Sequence, residues 1–441
     1  MAAPSPSPLT AVRGALVHFR ADPFLTDPDD ALVHEPDGMV VCRGGKIVAS
    51  GPAEAVLARL GEPVEVRRYP DCLIAPGFVD THVHYVQTGM IGACGKPLLD
   101  WLTDHTFVEE QALADRAAAD AMAETFVREL LRNGTTTALV FCAVYPQSVD
   151  ALFEAAGRRN LRIAAGKVLM DRNAPAALLD TAQSGYDDSK VLIERWHGRG
   201  RSLYAVTPRF AGTSSPAQLE AAAALWREHP GVLMQTHVSE NLEEIAWIAS
   251  LFPDRRDYFD VYAHHGLAGP GAVFAHGVHL SEREFGCVHE TGSALSHCPT
   301  SNLFLGSGLF RLHEARRADR PVKVGMGTDI GAGTSFSMLQ TLNEAYKVAQ
   351  LTGHPLGAVK ALWLATAGGA GAMGLDDRIG SLQPGMEADF VVLDPAATPL
   401  LAYRSARAES LEELLSVLMI LGDDRAVRAT YAAGVAVHER A

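Results

Sequence analysis

Residues 76–84 read Pro-Gly-Phe-Val-Asp-Thr-His-Val-His: a turn signal, a short apolar run, then two histidines one residue apart. A brief apolar run bounded by Pro and Gly is written as a buried strand. Side chains alternate faces along a strand, so His82 and His84 point the same way and their imidazoles can converge on one ion. A His-x-His pair alone also arises by coincidence, so the metal reading needs partners elsewhere in the chain.

Seven similar runs follow, at 136–140, 163–169, 203–206, 232–235, 272–275, 294–296 and 322–326. They alternate with longer stretches rich in Ala, Leu, Glu and Arg, the pattern of repeated βα units around a parallel sheet. Eight such units favour a closed, TIM-like (β/α)8 barrel over an open sheet, and a barrel carries its chemistry on the loops after the strand C-termini. The chain ends are written differently. Met39–Cys42 and Lys46–Val48 flank Gly44-Gly45, a hairpin signal, and short β-rich runs return at 388–393, 428–431 and 435–437. The expected fold is therefore α/β: a barrel over residues 75–384, with a small β-sandwich domain built from 1–74 and 385–441.

Composition narrows the function. With 48% hydrophobic and 20% charged residues in a chain of 441, the sequence is that of a soluble globular protein able to bury a large core. A net charge of -14 repels phosphate backbones and anionic lipid, which speaks against nucleic acid and membrane surfaces as partners and for a small uncharged substrate. No apolar stretch is long enough to span a bilayer, and Met1–Pro8 has neither the positive start nor the apolar run of a signal peptide. Six scattered cysteines without a CxxC pair read as free thiols, so the expected compartment is the cytoplasm.

The missing metal partners stand where a barrel needs them. His237 closes the fifth strand, His276 the sixth, and Asp329 follows the eighth. His82, His84, His237 and Asp329 are assigned as direct ligands of one divalent ion, zinc or ferrous iron; such an ion lowers the pKa of its water to about 7. His276 is read as the group that orients the attacking water, with a structural barrel-mouth histidine as the alternative. His297, in Ser296-His297-Cys298-Pro299, is read as a packed loop histidine and left out of the site. Glu240, three residues past His237, is placed to shuttle protons between water, ring and leaving group. Lys167 falls on the third strand rather than the fourth, which argues against a carbamylated lysine bridging two metals.

With those residues in place, the chain resembles the amidohydrolase superfamily and, within it, the guanine deaminases, the bacterial form in particular, over nearly its whole length. The motifs are PGFVDTHVHYVQ from Pro76, LLDWLTDHTF from Leu98, RNGTTTALVF from Arg132, GKVLMDRNAP from Gly166, TPRF from Thr207, THVSE from Thr236, HCPTSNLFLGSG from His297 and the run from Met326 to Lys347. The resemblance implies hydrolysis of guanine to xanthine and ammonia in purine catabolism. It further implies that Gln87 and Arg209 hold the polar edges of the base while Phe210 packs on its face, and that His237, Glu240 and Asp329 also meet it. Glu240, Asp329 and His276 are then the catalytic residues, and the assembly is a homodimer. One departure from the animal enzymes is the loop 91–96, expected to border the substrate entrance.

Two other readings stand beside this one. Another amidohydrolase, acting on 8-oxoguanine, cytosine or a triazine, would share every metal ligand and differ at Gln87, Arg209 and Phe210. A barrel without activity, kept as a scaffold, would be marked by loss of a ligand. A zinc deaminase acting on nucleic acid would need His-x-Glu with Pro-Cys-x-x-Cys, and both are absent from the sequence.

Overall fold

The fold is described from a computed structural model covering residues 8–94 and 96–440. Met1–Ser7, most of the Pro- and Ser-rich start, and Gly95 of the expected entrance loop lie outside the described residues.

The chain opens with β1 (Thr10–Phe19), β2 (Leu32–Arg43), β3 (Lys46–Pro52) and β4 (Glu65–Pro76). The β2–β3 hairpin turns on Gly44 and Gly45, with φ of +57° and +81°, the left-handed pair that a two-residue turn between twisted strands requires. Nine further strands make the central body: β5 (Phe78–His84), β6 (Thr135–Phe141), β7 (Arg162–Gly166), the two-residue β8 (Val168–Leu169), β9 (Ser202–Pro208), β10 (Leu233–Val238), β11 (Ala272–His276), β12 (Ala294–His297) and β13 (Lys323–Met326). The chain then returns through β14 (Phe390–Leu393), β15 (Val427–Ala432) and β16 (Val435–Glu439).

Eight of the nine central strands pair in parallel in the order β5-β6-β7-β9-β10-β11-β12-β13, and β13 pairs back onto β5 through Met326 and Asp80, closing the barrel. All eight expected strands are present. They are buried almost throughout, as strands covered on both faces must be, and this is why they read as continuous apolar runs rather than alternating ones. The helix Arg116–Arg132 illustrates the outer layer. Asp115 caps it by accepting from the Ala118 N–H, and Ala119, Ala123, Phe126, Val127, Leu130 and Leu131 form one buried stripe at helical spacing. The barrel's lower interior is filled by Val79, Leu139, Ala164, Leu203, Leu233 and Val273, packed with Met373, Leu375 and Ile379.

Both chain ends join in one seven-stranded sheet, ordered β16-β15-β14-β4-β1-β2-β3. Its alternation is visible in β4: Leu73 and Ala75 belong to the main core, whereas Ile74 packs into a separate cluster with Leu16, Phe390 and Tyr431. Between β14 and β15 the chain leaves the sheet, and the helix Leu411–Leu421 packs against Met338–Leu351 and Ala358–Leu364. A part-buried ion cluster ties sheet to barrel: Arg162 Nε is 2.9 Å from Glu387, and Arg201 reaches both Glu387 (3.0 Å) and Asp389 (2.9 Å). The six cysteines are unpaired. Among the described residues no helix is long and apolar enough to cross a membrane.

Candidate active site

The strand C-termini deliver the expected histidines to one place. Ligand nitrogens of His82, His84 and His237 lie within 4.8 Å of one another. Asp329 Oδ1 is 3.1 Å from His82 Nε2 and 3.4 Å from His84 Nε2, and His237 Nε2 is 3.2 Å from His84 Nε2. Asp80, within β5, arranges this. Its buried carboxylate accepts from the His82 N–H (3.2 Å) and from the backbone N–H (3.0 Å) and hydroxyl of Thr328, pinning the end of β13 to β5 so that Asp329 faces the histidines.

The protonation pattern suits a cation. Burial holds the His84 imidazole down to about 3 and that of His237 well below its ordinary value, so both rings are neutral. Burial alone would raise Asp329, but the neighbouring His82, His84 and His276 outweigh it and hold the carboxylate well below its usual range. The backbone oxygen of Arg209 only accepts, so the Nδ1 of His237, 2.7 Å away, carries the hydrogen and its Nε2 lone pair faces the cluster. The Nε2 atoms of His82 and His276 are buried without a hydrogen-bond partner. Neutral imidazoles with inward lone pairs, an ionised carboxylate and unsatisfied nitrogens are what a divalent metal requires. Cys298 is also within reach, but burial pushes its thiol well above the ordinary value, which leaves it a protonated donor.

His276 Nδ1 is 2.9 Å from Asn302 Oδ1, and its Nε2 faces Glu240 (3.4 Å) and Asp329 (3.7 Å). Glu240 is buried; Ser307 donates a 3.0 Å hydrogen bond to its Oε1. Burial, reinforced by the charge of Asp329, pushes the Glu240 carboxyl up to about 8. Beneath it, Glu244 accepts from the backbone N–H groups of Glu240 (2.9 Å) and Asn241 (3.2 Å) and fixes the turn that carries Glu240. His297 is stacked on Phe310 with centroids 4.6 Å apart and does not line the cavity. Lys167 pairs with Asp180 at 2.5 Å, away from the histidines.

Above the histidines lies a cavity lined by His84, Gln87, Trp101, Arg209, Phe210, Glu240 and Asp329, among others. Every residue expected to meet substrate therefore borders one space. The guanidinium of Arg209 is held by Glu110, both of whose oxygens are 2.8 Å from Nη1, and Gln87 donates to the same carboxylate at 3.3 Å. Sequence reasoning missed Glu110, Glu244, Asn302 and Ser307. Each is polar and buried: Asn302 and Ser307 stand inside the HCPTSNLFLGSG block and Glu110 just after LLDWLTDHTF, but residue type and spacing alone assign none of the four a partner.

Comparison with known proteins agrees with this geometry. Residues 73–437 match the model of the amidohydrolase family. Guanine deaminase of Escherichia coli (strain K12) is 54% identical over 435 residues, covering 98% of each chain. The solved E. coli guanine deaminase superposes with a TM-score of 0.95 at 53% identity, over 98% of this chain and all of the other. A guanine deaminase from C. acetobutylicum with guanine bound in its active site gives 0.86 at 27% identity, over 98% of this chain and all of that one. The chain thus belongs to the amidohydrolase family and, within it, to the guanine deaminases.

Proposed function

We propose that this chain hydrolyses guanine, with one water, to xanthine and ammonia, as a metal-dependent aminohydrolase of purine catabolism. The observation that carries the reading is the single cavity whose floor is His84, His237 and Asp329 and whose wall is Gln87, Arg209 and Phe210. His82, His84, His237 and Asp329 would hold one divalent ion, which we read as zinc, with ferrous iron as the alternative. When bound, such an ion supplies the Lewis acidity that brings a water toward deprotonation near pH 7.

The chain's own groups supply the rest. Gln87 and Arg209 present donors and an acceptor to the polar edges of a planar neutral ring, and Phe210 lies against its face. Asp329 and His276 orient the attacking water and accept its proton. Glu240, held protonated near neutrality, donates to the ring nitrogen beside the amino-bearing carbon; recharged with the proton that Asp329 and His276 took from the water, it then delivers that proton to the departing amine. We further read the assembly as a homodimer and the compartment as the cytoplasm, in keeping with six unpaired thiols. The test is ammonia release from guanine, adenine, cytosine and 8-oxoguanine by protein of known metal content. Guanine is expected to lead by a wide margin and to lose its turnover on chelation. Deamination of another ring with guanine untouched would overturn the substrate.

A further inference from the structure

Arg209 and Gln87 line the cavity, yet both are gripped from behind by a carboxylate that does not line it. Glu110 lies on the helix Phe107–Gln111 and is 0% exposed. Its two oxygens take the Nη1 of Arg209, and the Phe107 ring centroid lies 5.5 Å from the same guanidinium. The remaining guanidinium nitrogens are left for the cavity that Arg209 borders. Gln87 is fixed just as firmly. The backbone N–H of Gly331 can only donate, so the amide oxygen of Gln87 must receive it (3.1 Å), and the amide nitrogen must turn toward Glu110. One buried carboxylate therefore sets the charge behind Arg209 and the orientation of Gln87.

We infer that Glu110 is a positioning residue that neutralises the base pocket and fixes the polarity Gln87 offers, so that the pocket selects a neutral purine over an anionic one. This rests on the reading that the cavity takes guanine. A bare guanidinium in a dry cavity would attract any anionic ring by charge alone. Paired with Glu110, Arg209 still offers N–H groups to a carbonyl oxygen but little net charge. The product side of the reaction gains most, because exchanging an amino group for a carbonyl makes the ring a stronger acid. Its anion would be retained by an unpaired Arg209 and is released by a neutralised one.

The test is titration calorimetry of metal-loaded wild type, Glu110→Gln and Glu110→Asp with two non-substrate purines, hypoxanthine, which is neutral near pH 7.5, and urate, which is a monoanion there. In Glu110→Gln the ratio of urate to hypoxanthine affinity is expected to rise about tenfold or more, because the pocket gains a charge, while the KM for guanine rises. In Glu110→Asp the charge is kept, so the ratio stays within about twofold of wild type although both ligands bind more weakly. Loss of affinity for both purines in parallel in Glu110→Gln would reduce Glu110 to a structural role and overturn the inference. Should that variant not fold, a ratio in Glu110→Asp shifted toward urate overturns it as well. Wild type that binds both purines but fails to deaminate guanine would sink the substrate reading instead, a separate result.

Discussion

Replacing Glu240 by Gln keeps the shape of the side chain and the acceptor for Ser307 but removes the transferable proton. At about 8, the Glu240 carboxyl is protonated in roughly nine molecules in ten at pH 7; at its ordinary value near 4.5 it would be so in about one in three hundred. The fold thus holds an acid ready where a solvated glutamate would offer a carboxylate. Loss of a positioned acid or base lowers turnover about 10²- to 10⁴-fold, or about 3–5 kcal/mol of barrier. We expect Glu240→Gln to fall in that range in kcat, with metal content and thermal midpoint close to wild type. The pH arm follows from the direction of the shift. A raised pKa keeps the donor form through neutrality, so wild-type turnover should hold up to about pH 8 and decline above it, and the residual activity of Glu240→Gln should lack that alkaline limb. The assay is ammonia release from guanine across pH 6–10, with metal quantified on each sample. A metal-replete Glu240→Gln protein with kcat within about threefold of wild type would refute the assignment.

Other expectations concern the ion, the aromatic wall and the barrel–sheet contact. Chelation should abolish guanine turnover and added zinc restore it, and Asp329→Ala should lower metal content as well as rate. Gly212→Ala should raise KM about tenfold with a smaller change in kcat: a Cβ there would lie 2.4 Å from Phe210 and 2.7 Å from Trp247, forcing the Phe210 ring toward the cavity. Steady-state kinetics would check it, and an unchanged KM would detach Phe210 from base binding. Glu387→Ala should cost about 3–5 kcal/mol in urea unfolding, because it strands Arg162, whose side chain is 4% exposed. Burial opposes the charged form of Glu387, but Arg162 and Arg201 outweigh it and hold its carboxyl below the ordinary 4.5. The stability it confers is therefore present above that value and lost as pH falls through the lower folded one, so the gap from the variant should close in acid.

Much of the barrel could be read in advance because a parallel barrel buries every strand on both faces, which writes each one as a short unbroken apolar run. The convergence of His82, His84, His237 and Asp329 was legible for a related reason: strand alternation forces His82 and His84 to share a face, and strand ends are where a barrel places its chemistry. The residues that hold those groups were not. Glu110, Glu244 and Asn302 sit on helices or loops where a polar residue ordinarily meets water, and only the closed fold brings each to its partner. The helix Leu411–Leu421 is a similar case. Its apolar residues need a cover, but nothing local says that they find it on Met338–Leu351 rather than on the sheet of their own chain end.

The backbone gives those supporting residues a reason. Ser239, His276 and Asp329 carry φ of +48°, +71° and +51°, left-handed values that residues with a side chain rarely adopt. At about 1–3 kcal/mol each, the three together cost about 3–9 kcal/mol. That is comparable to the whole stability of a typical domain, so the surroundings must over-determine each position. The contacts that do so come from residues that sequence reasoning left without a role. Asp80 grips Thr328 just before Asp329, Asn302 holds the ring of His276, and Glu244 takes two backbone N–H groups immediately after Ser239. Each left-handed residue stands at or just past a strand end, where the reversed dihedral swings the chain out of the sheet. The strain and its supports therefore follow from one requirement: the strands must stop being strands at the point where the reacting groups begin.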